Sequence, residues 1–532
     1  MHRPVVMGKN GVVASAHPLA SQAGVDVLKK GGNAFDAAVA TNAVLNVTQH
    51  HMCGIGGDVF YLLYNAQEGK VQFLNGSGRS AYNATKEYYT QKGFDKIPLR
   101  GPMSVLTVPG CVDAWDQMLK RYGTMQFPEL LEAAVEYSKN GFPISHQLSQ
   151  WIGKCAGDLA QYPSWAKIFL PNGEVPEPGD ILYQKDLGWT FEQIAKGGRD
   201  AFYEGEIAEK TVKFFSENGS PISLKDFKDH KSNWGEPLSS SYRGYTVYET
   251  APNTQGIAAL MMLNILDGVD LASMGHNSVD YLHYMVEAKK LAFADRDKYI
   301  SDPEFTDIPV EYLLSKEYTE KLRAMINPNK ALPEPPAGDA RGDTTYFAVA
   351  DKEGNLVSCI QSIYFPFGSG AVAEGTGMCV HNRGAYFSLD ENHVNFLQPH
   401  KRTMHTLMAS LTFKDDRPFM VFGTMGGDGQ PQTHVTVISN VIDFGMNIQD
   451  AIEVPRWIHG NVCIGEPKIQ FNLEGRIDPG TAEELAGMGH DVNILEDWTW
   501  DVGHAQGIII DRKTGALFGG ADPRGDGYAV GW

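Results

Sequence analysis

The chain has 532 residues, of which 42% are hydrophobic and 20% are charged, a composition typical of globular proteins with a large buried core. This length predicts roughly two to four domains. The formal net charge of −19 argues against nucleic-acid binding, because phosphate contacts need a basic surface. It does not exclude an anionic small molecule, since a pocket sets its own local potential.

The chain carries no visible targeting or membrane signal. The N-terminal residues "MHRPVVMGKNGVVASAHPLASQ" lack the apolar segment of a signal peptide, and no apolar run approaches the ~18 residues of a membrane span. The six cysteines are scattered without a C-x-x-C pair, as expected of reduced thiols. We therefore expect a cytoplasmic protein with no membrane or nucleic-acid partner.

Helical and strand patterns interleave along the whole chain. Apolar periodicity predicts helices at 19–30, 35–47, 128–140, 207–217, 257–266 and 278–300, and Asn277 or Ser278 is the expected cap of the last one. Strand patterns cover 59–64, 71–74, 245–249, 344–350, 356–363, 407–413, 420–423 and 507–511. The C-terminal third is richer in strands. The order of elements predicts a mixed α+β sandwich.

A Pro- and Gly-rich connector, "NPNKALPEPPAGDARGD" (327–343), runs straight into the core-strand pattern "TTYFAVA". It is either a domain boundary or a place where the chain is cut. Thr344 is either an ordinary strand residue or a nucleophile. If the chain were cut before Thr344, the new α-amine, with an unperturbed pKa of ~7.7–8.0, could act as the local base for its own hydroxyl. Before the cut, that hydroxyl could attack the Asp343 carbonyl.

The strand after Thr344 is predicted to form a hairpin with the next strand. Residues 352–354, which end in glycine, suit a three-residue loop, so Asp351 should face Asn355. Counting outward then pairs Ala350 with Leu356, Phe347 with Cys359, and Thr344 with Ser362. Facing side chains have Cβ atoms ~4.5–5.5 Å apart. Ser362 could therefore orient the Thr344 hydroxyl, whereas a loop of two or four residues would separate the pair.

Acyl chemistry also needs hydrogen-bond donors for an oxyanion. The stretch "FGTMGGDGQPQTH" (422–434) follows a strand pattern, and Gly426 and Gly427 could present backbone N–H groups there. The alternatives are a plain glycine turn or an imperfect phosphate loop that lacks the G-K-[ST] ending.

A metal reading of "TQHHMCGIGGD" through His50, His51 and Cys53 is weak. Adjacent histidines point in different directions, and no distant ligand pair has zinc-site spacing. We therefore predict no metal and no cofactor.

Several segments in a shared order resemble the gamma-glutamyltransferase family of N-terminal nucleophile hydrolases. They are "ASAHPLASQAGVDVLKKGGNAFDAAVA" (14–40), "GIGGD" (54–58), "VPGCVDAW" (108–115), "YRGYTVYETAPNTQG" (242–256), "EAKKLAFADRDKYISDP" (287–303), "GDTTYFAVADKEGN" (342–355), "MGGDGQPQTH" (425–434) and "GGADPRGDG" (519–527).

The resemblance implies a four-layer αββα sandwich built from both halves of a zymogen that cleaves itself between Asp343 and Thr344. Residues 1–343 would form the large subunit and 344–532 the small one, interwoven as one domain, and a dimer of such heterodimers is left open. By the same resemblance, Thr344 is the nucleophile, Ser362 is the second hydroxyl beside it, and Gly426 and Gly427 form the oxyanion hole.

The carboxylate-binding positions depart from the glutamyl-specific pattern. Those family members hold the substrate α-carboxylate with an arginine and two serines. Here His405 and Thr406 replace the serines. Arg79 is the candidate arginine, and an arginine on a solvent-facing turn is the alternative.

The positions that would hold the substrate α-amino group depart as well. Family positions with Asn, Gln and Asp are here Tyr364, Arg383 and Tyr386. Arg383 would repel an ammonium, and the pattern is similar to the branch of glutaryl-type cephalosporin acylases and oxamate amidohydrolase. The leading hypothesis is an N-terminal threonine amidohydrolase acting on small amides whose acyl part carries a carboxylate. The alternatives are a true γ-glutamyltransferase or glutathione hydrolase and, more remotely, an unprocessed binding protein.

Overall fold

The structure, a computed structural model, describes residues 3–333, 343–461 and 468–532. Its α-helices are, in chain order, α1 (Pro18–Lys29), α2 (Ala34–Thr48), α3 (Lys86–Thr90), α4 (Cys111–Tyr122), α5 (Phe127–Leu130), α6 (Glu132–Asn140), α7 (His146–Leu159), α8 (Pro163–Phe169), α9 (Lys185–Tyr203), α10 (Glu206–Glu217), α11 (Leu224–Asp229), α12 (Gly256–Asp267), α13 (Leu271–Met274), α14 (Val279–Tyr299), α15 (Val310–Leu313), α16 (Lys316–Arg323), α17 (Gly429–Ile442), α18 (Ile448–Glu453) and α19 (Pro479–Gly487).

The strands alternate with these helices along the chain. They are β1 (Val6–Gly8), β2 (Gly11–Ser15), β3 (Asp58–Asn65), β4 (Lys70–Gly76), β5 (Phe142–Pro143), β6 (Ile181–Leu182), β7 (Asn233–Gly235), β8 (Leu238–Tyr242), β9 (Tyr245–Glu249), β10 (Asp343–Asp351), β11 (Leu356–Tyr364), β12 (Val372–Ala373), β13 (Met378–Cys379), β14 (Ser410–Lys414), β15 (Arg417–Thr424), β16 (Trp457–Gly460), β17 (Gln470–Glu474), β18 (Val492–Leu495), β19 (Ala505–Ile510), β20 (Leu517–Ala521) and β21 (Tyr528–Gly531).

Two seven-stranded sheets form the centre of the fold. One has the strand order β1-β20-β19-β15-β14-β9-β8, and the other has the order β21-β2-β10-β11-β3-β4-β7. The sheets pack face to face through β10, β11, β15 and β19. Both sheets contain strands from before and after the Asp343–Thr344 bond, so neither segment completes a sheet without the other.

Three hydrophobic clusters correspond to the three layer boundaries. Tyr346, Ala348 and Ala350 of β10 belong to the cluster between the sheets, whereas Phe347 and Val349 belong to the cluster under α1 and α2. This alternation is the period of two expected of a strand buried on both faces. The third cluster lies on the outer face of the sheet that contains β9 and β15, where α12, α14 and α17 pack against it. The fold is therefore the four-layer αββα sandwich, as predicted.

Most predicted elements are confirmed within a few residues. Ser278 caps α14 by accepting a hydrogen bond from Tyr281 N–H, as expected. The helix predicted at 128–140 is two helices, α5 and α6, because the chain turns at Leu131. The strand predicted at 407–413 begins only at Ser410. The residues before it pair elsewhere, since His405 forms an isolated β-bridge with Thr254.

The hairpin register agrees with the prediction over most of its length. Phe347 lies opposite Cys359, and Ala350 lies opposite Leu356. Asp351 N–H donates to Asn355 O, and Gly354 has φ +88°, the left-handed conformation that the loop requires.

The predicted connector, 327–343, is described only in part, because 334–342 lie outside the described residues. In the part of the chain that the structure describes, no helix is both long and apolar enough to cross a membrane.

Candidate active site

Thr344 lies next to a register shift at the open end of the β10–β11 hairpin. Asp343 faces Tyr364 and Thr345 faces Gln361, so one extra residue of β11 is accommodated between these two pairs. The regular count that placed Thr344 opposite Ser362 therefore stops one residue short of Thr344, at a β-bulge of the kind found beside active sites. Direct pairing of the two hydroxyls stays a prediction.

The Thr344 side chain is buried without a hydrogen-bond partner. It is 1% exposed, and neither its hydroxyl nor that of Thr345 has a partner among the described residues. An unsatisfied buried hydroxyl costs about 1–3 kcal/mol. Such groups are uncommon in folded proteins outside sites with a catalytic or ligand-binding role.

Ser362 and Arg383 are in direct contact. Ser362 Oγ accepts hydrogen bonds from Tyr364 N–H (2.7 Å) and from Arg383 Nη2 (3.3 Å). Arg383 Nη1 donates to Thr406 Oγ1 at 3.1 Å. The guanidinium also lies over the Tyr364 ring, 4.2 Å from its centroid. Predicted residues from three separate parts of the small-subunit segment are thus brought together.

Arg383 is a buried cation that has no carboxylate partner among the residues that the structure describes. Its side chain is 1% exposed, and burial lowers its pKa. Across the described residues it forms no ion pair, and both recorded acceptors are neutral hydroxyls. Because an uncompensated buried charge is strongly destabilising, this arrangement is suited to an anionic ligand.

The rings of Tyr364 and Tyr386 pack against each other beside Arg383. Their rings are nearly perpendicular, with centroids 5.8 Å apart. Tyr364 has φ +79°, a conformation that bulky residues rarely adopt and that costs about 1–3 kcal/mol. This strained residue faces Asp343 across the hairpin, so the strain lies beside the predicted cleavage bond.

His405 has both ring nitrogens occupied. Nδ1 accepts from Leu407 N–H at 3.4 Å, so Nε2 carries the proton and donates to Asp58 Oδ2 at 3.0 Å. Burial lowers the pKa of His405 to about 3, which keeps the ring neutral at physiological pH. Thr406, the sequence neighbour of His405, contacts Arg383 through its hydroxyl.

Asp58 is a site residue that the sequence analysis did not single out. It lies opposite Ser362 in the β3–β11 pairing. Oδ1 accepts from Gly78 N–H, and Oδ2 is 3.2 Å from His381 Nδ1. Burial raises the pKa of Asp58, but His381 and His405 together lower it well below its usual value. The available signal was an acidic residue closing the glycine-rich "GIGGD" stretch at the start of a strand.

Gly426 and Gly427 form the turn between β15 and α17. Their φ angles are +128° and +53°, which glycine adopts without strain. Within the described residues neither N–H group donates a hydrogen bond, so both are available to a ligand. The turn lies at the Thr344 end of the sandwich, because a Cβ on Gly423 would lie 2.4 Å from the Tyr346 ring.

Gln255 links this glycine turn to Thr406, the residue whose hydroxyl contacts Arg383. Its Nε2 donates to Gly427 O (2.9 Å) and to Thr406 O (2.6 Å). Its Oε1 accepts from Arg296 Nη1 at 2.7 Å. One buried amide therefore sets the spacing between the predicted oxyanion donors and the residue that contacts Arg383.

Arg79 is held in a separate ion-pair network. Its guanidinium contacts Asp302 (3.4 Å) and Glu304 (2.5 Å) and donates to His400 O at 3.2 Å. The side chain is only 14% exposed, so it does not lie on a solvent-facing turn either. Its role as a ligand for a substrate carboxylate stays a prediction.

Within the described residues, the structure does not bring His50, His51 and Cys53 together as one group of possible ligands. Among the described residues, the one group of three or more possible ligands with atoms within 4.8 Å of one another consists of His283, Glu287 and His490. Burial lowers the pKa of His50 to about 4. His51 lies in the same buried region and stacks beside Trp151.

Comparisons with known proteins show which family the chain belongs to. A family model described as gamma-glutamyltranspeptidase matches residues 20–532. The chain is 47% identical over 528 residues to the glutathione hydrolase-like YwrD proenzyme of Bacillus subtilis strain 168, covering 99% of each. It is 37% identical over 528 residues to the oxamate amidohydrolase proenzyme of Klebsiella pneumoniae, covering 98% of each.

Among solved structures, the cephalosporin acylase from Bacillus halodurans matches with a TM-score of 0.93 and 39% identity, covering 100% of this chain and 97% of the acylase. The similarity runs through the whole sandwich and includes the segments that carry Thr344, Arg383 and the glycine turn. The chain is therefore a member of the gamma-glutamyltranspeptidase family.

Proposed function

We propose that this protein is a self-cleaving N-terminal threonine amidohydrolase that hydrolyses small amides whose acyl part carries a carboxylate. The observation that carries the substrate class is Arg383, a buried guanidinium whose recorded hydrogen bonds go to two hydroxyls. A substrate carboxylate supplies the missing negative charge. Arginine suits this role because its planar fork can donate two parallel hydrogen bonds.

Maturation follows from the position of Thr344. Its Oγ attacks the Asp343 carbonyl carbon, the C–N bond breaks, and the Thr344 nitrogen becomes a free amine. Water then hydrolyses the resulting ester, which leaves chains 1–343 and 344–532. Because both seven-stranded sheets mix strands of the two chains, the products stay together as one heterodimer.

Turnover reuses the same groups. The Thr344 α-amine takes the proton from Oγ, which attacks the amide carbonyl of the substrate. The N–H groups of Gly426 and Gly427 stabilise the oxyanion. The C–N bond then breaks, the amine departs with the proton, and water hydrolyses the ester on Thr344. Ser362 connects this chemistry to substrate binding, because its hydroxyl contacts Arg383.

The rival substrate class, γ-glutamyl compounds, also carries an ammonium group. Asp428, beside the glycine turn, is an acidic side chain near Arg383: burial lowers the pKa of Arg383, and the negative charge of Asp428 is one of several that oppose this effect. Its carboxylate already binds Arg296 at 2.7 Å. A substrate ammonium would have to compete with that arginine and tolerate Arg383, so we favour the simple carboxylate. The named activities of the oxamate amidohydrolase and acylase relatives are consistent with this preference.

The test compares three p-nitroanilides: glutaryl, γ-glutamyl and butyryl, which respectively carry a carboxylate, a carboxylate with an ammonium, and neither. Wild-type protein should prefer the glutaryl compound. Arg383→Gln should lower kcat/KM for it by about 100-fold, since hydrogen bonds to charged groups contribute about 1.5–3 kcal/mol, while butyryl hydrolysis changes by less than about threefold. Rates are normalised to the processed fraction by intact mass.

Arg79→Gln is the matched control. If Arg79 serves its ion pairs with Asp302 and Glu304, glutaryl selectivity should survive its removal. If glutaryl selectivity is lost in Arg79→Gln and kept in Arg383→Gln, the substrate carboxylate binds Arg79 and not Arg383. Preference of the wild type for the γ-glutamyl compound would contradict the proposed substrate class.

A further inference from the structure

A group of buried metal-binding side chains lies away from the Thr344 site. His283 and Glu287 are four residues apart on one face of α14, and His490 follows α19. All three are buried, and each offers a ligand atom within 4.8 Å of the others. Their combination of two imidazoles and one carboxylate is a donor set that zinc uses.

One nitrogen of each imidazole already lies close to the other ring. His283 Nε2 is 2.8 Å from Asn327 O, and a carbonyl can only accept, so Nε2 carries the proton and Nδ1 has the lone pair. Nδ1 is 2.9 Å from His490 Nε2. Two nitrogens bound to one tetrahedral zinc at ~2.0–2.1 Å lie roughly 3.3 Å apart. The two ring nitrogens therefore need to move apart by only a few tenths of an ångström to bind the same ion.

The groups around His283 and Glu287 match those that orient metal ligands. A ligating histidine usually donates its other N–H to a carbonyl or carboxylate, as His283 does to Asn327. Glu287 Oε2 accepts from Leu332 N–H at 2.8 Å, and Oε1 is 3.1 Å from Lys290 Nζ. The positive charge of Lys290 repels a cation and so disfavours ions that bind through electrostatic attraction alone. A transition-metal ion that bonds well to imidazole nitrogen is favoured instead.

We propose that His283 Nδ1, His490 Nε2 and a Glu287 carboxylate oxygen bind one divalent transition-metal ion of the zinc class, with a water molecule as the fourth tetrahedral ligand. On binding, the His490 proton moves from Nε2 to Nδ1, so no net proton is released from that ring. The site is separate from the Thr344 chemistry and extends beyond the proposed function.

The position of this site indicates what the ion would do. Asn327 O, Leu332 N–H and Leu332 O are held by His283, Glu287 and Lys290 respectively. Asn327 and Leu332 both belong to the described upstream part of the connector, 327–333, which leads on to Asp343. A bound ion would therefore fasten α14, the segment after α19 and the upstream end of the connector to one another. It acts as a structural clamp.

The test is titration of the purified, chelator-stripped protein with Zn²⁺ by calorimetry and with Co²⁺ by visible absorption. We expect one site per chain, a tetrahedral Co²⁺ spectrum and a Zn²⁺-dependent rise in Tm, because a ligand that binds only the folded state stabilises it. Affinity should fall at least about 100-fold in His283→Gln. Glu287→Gln, which is nearly isosteric and so guards against misfolding, should also lose the tetrahedral spectrum.

An exposed histidine provides the matched control, because His393→Gln should bind the ion as the wild type does. Three results would overturn the proposal. They are the absence of a one-to-one site, an octahedral Co²⁺ spectrum, and equal affinities of wild type and His283→Gln. The last would assign the binding to surface histidines.

Discussion

The two ends of the β10–β11 hairpin are built on opposite principles. At the turn end, Asp351 accepts hydrogen bonds from Ala34 N–H (2.8 Å), Asn355 N–H (2.9 Å) and Asn355 Nδ2 (2.8 Å), and Asn355 in turn accepts from Ala66 N–H. At the open end, the hydroxyls of Thr344 and Thr345 have no hydrogen-bond partner within the described part of the chain, and the strand register shifts.

Within the nine residues of β10, the turn end therefore contributes to stability, whereas the open end carries the candidate functional groups. The turn end satisfies its polar groups, as buried structural positions do. Among the described residues, the open end combines the candidate nucleophile Thr344 with an unpartnered hydroxyl, a strained Tyr364 and a buried Arg383 without an ion pair. Such features cost stability and are typical of functional sites. Substitutions at the two ends should therefore have opposite signatures, one in stability and the other in chemistry.

Thr344→Ala should have the largest effect. Without the hydroxyl, neither cleavage before residue 344 nor acyl transfer is available, so intact mass should show one uncut chain with no measurable amidase activity. Thr345→Ala is the matched control, because its hydroxyl is equally buried and unpartnered yet has no assigned role. It should still be cut. Cleavage of Thr344→Ala, or an uncut Thr345→Ala, would contradict the assignment of the nucleophile.

Acid should destabilise the protein through buried histidines, some of which lie near the open end. Burial lowers the pKa of His17, His50 and His504 to about 4 and that of His405 to about 3. The unfolded chain takes up these protons near pH 6.5 and the native one does not. Stability is therefore complete above pH 6.5 and falls below it, by about 2 kcal/mol per histidine at pH 5.

Denaturant titrations at pH 7, 6 and 5 measure this slope. His50→Gln should reduce the slope by about one proton, whereas the exposed His393→Gln should leave it unchanged. A stability independent of pH between 7 and 5 would contradict the neutral burial of these rings.

Asp351→Ala should lower stability while sparing chemistry. It leaves the buried N–H groups of Ala34 and Asn355 without an acceptor, at a cost of about 2–3 kcal/mol. Urea denaturation should detect the loss, and the folded, processed variant should keep wild-type kcat. Lys352→Ala, an exposed change in the same turn, is the control with little effect on either quantity. A loss of kcat in Asp351→Ala would couple the two ends of the hairpin.

Ser362→Ala should have the smallest effect of the four on a logarithmic scale. It removes the acceptor of hydrogen bonds from Arg383 and Tyr364, and processing and turnover should each slow about 10-fold, equivalent to about 1.4 kcal/mol. Time-resolved intact mass and steady-state kinetics measure the two rates. Ser358→Ala, on the same strand but bonded to Tyr346, should leave both rates unchanged. Wild-type rates in Ser362→Ala would refute the role of Ser362 beside Thr344.

What the sequence determined by itself was local or motif-based. Apolar periodicity located the main helices and strands, and the three-residue loop set the register that pairs Ala350 with Leu356 and Phe347 with Cys359. These predictions succeed because a short turn and a period of two leave few alternatives. The ordered motifs indicated the family, the αββα sandwich and Thr344 as the candidate nucleophile.

Only the tertiary structure decided how distant polar groups meet. The bulge beside Thr344, the ion pairs that occupy Arg79, the contact of Asp58 with His405, and the assembly of His283, Glu287 and His490 all join residues far apart in the chain or depend on backbone irregularity. Periodicity carries no information about such contacts, because which buried charge finds a partner depends on the packing of whole layers. In ranges 3–333, 343–461 and 468–532, that packing gave Arg79 two carboxylate partners and Arg383 none.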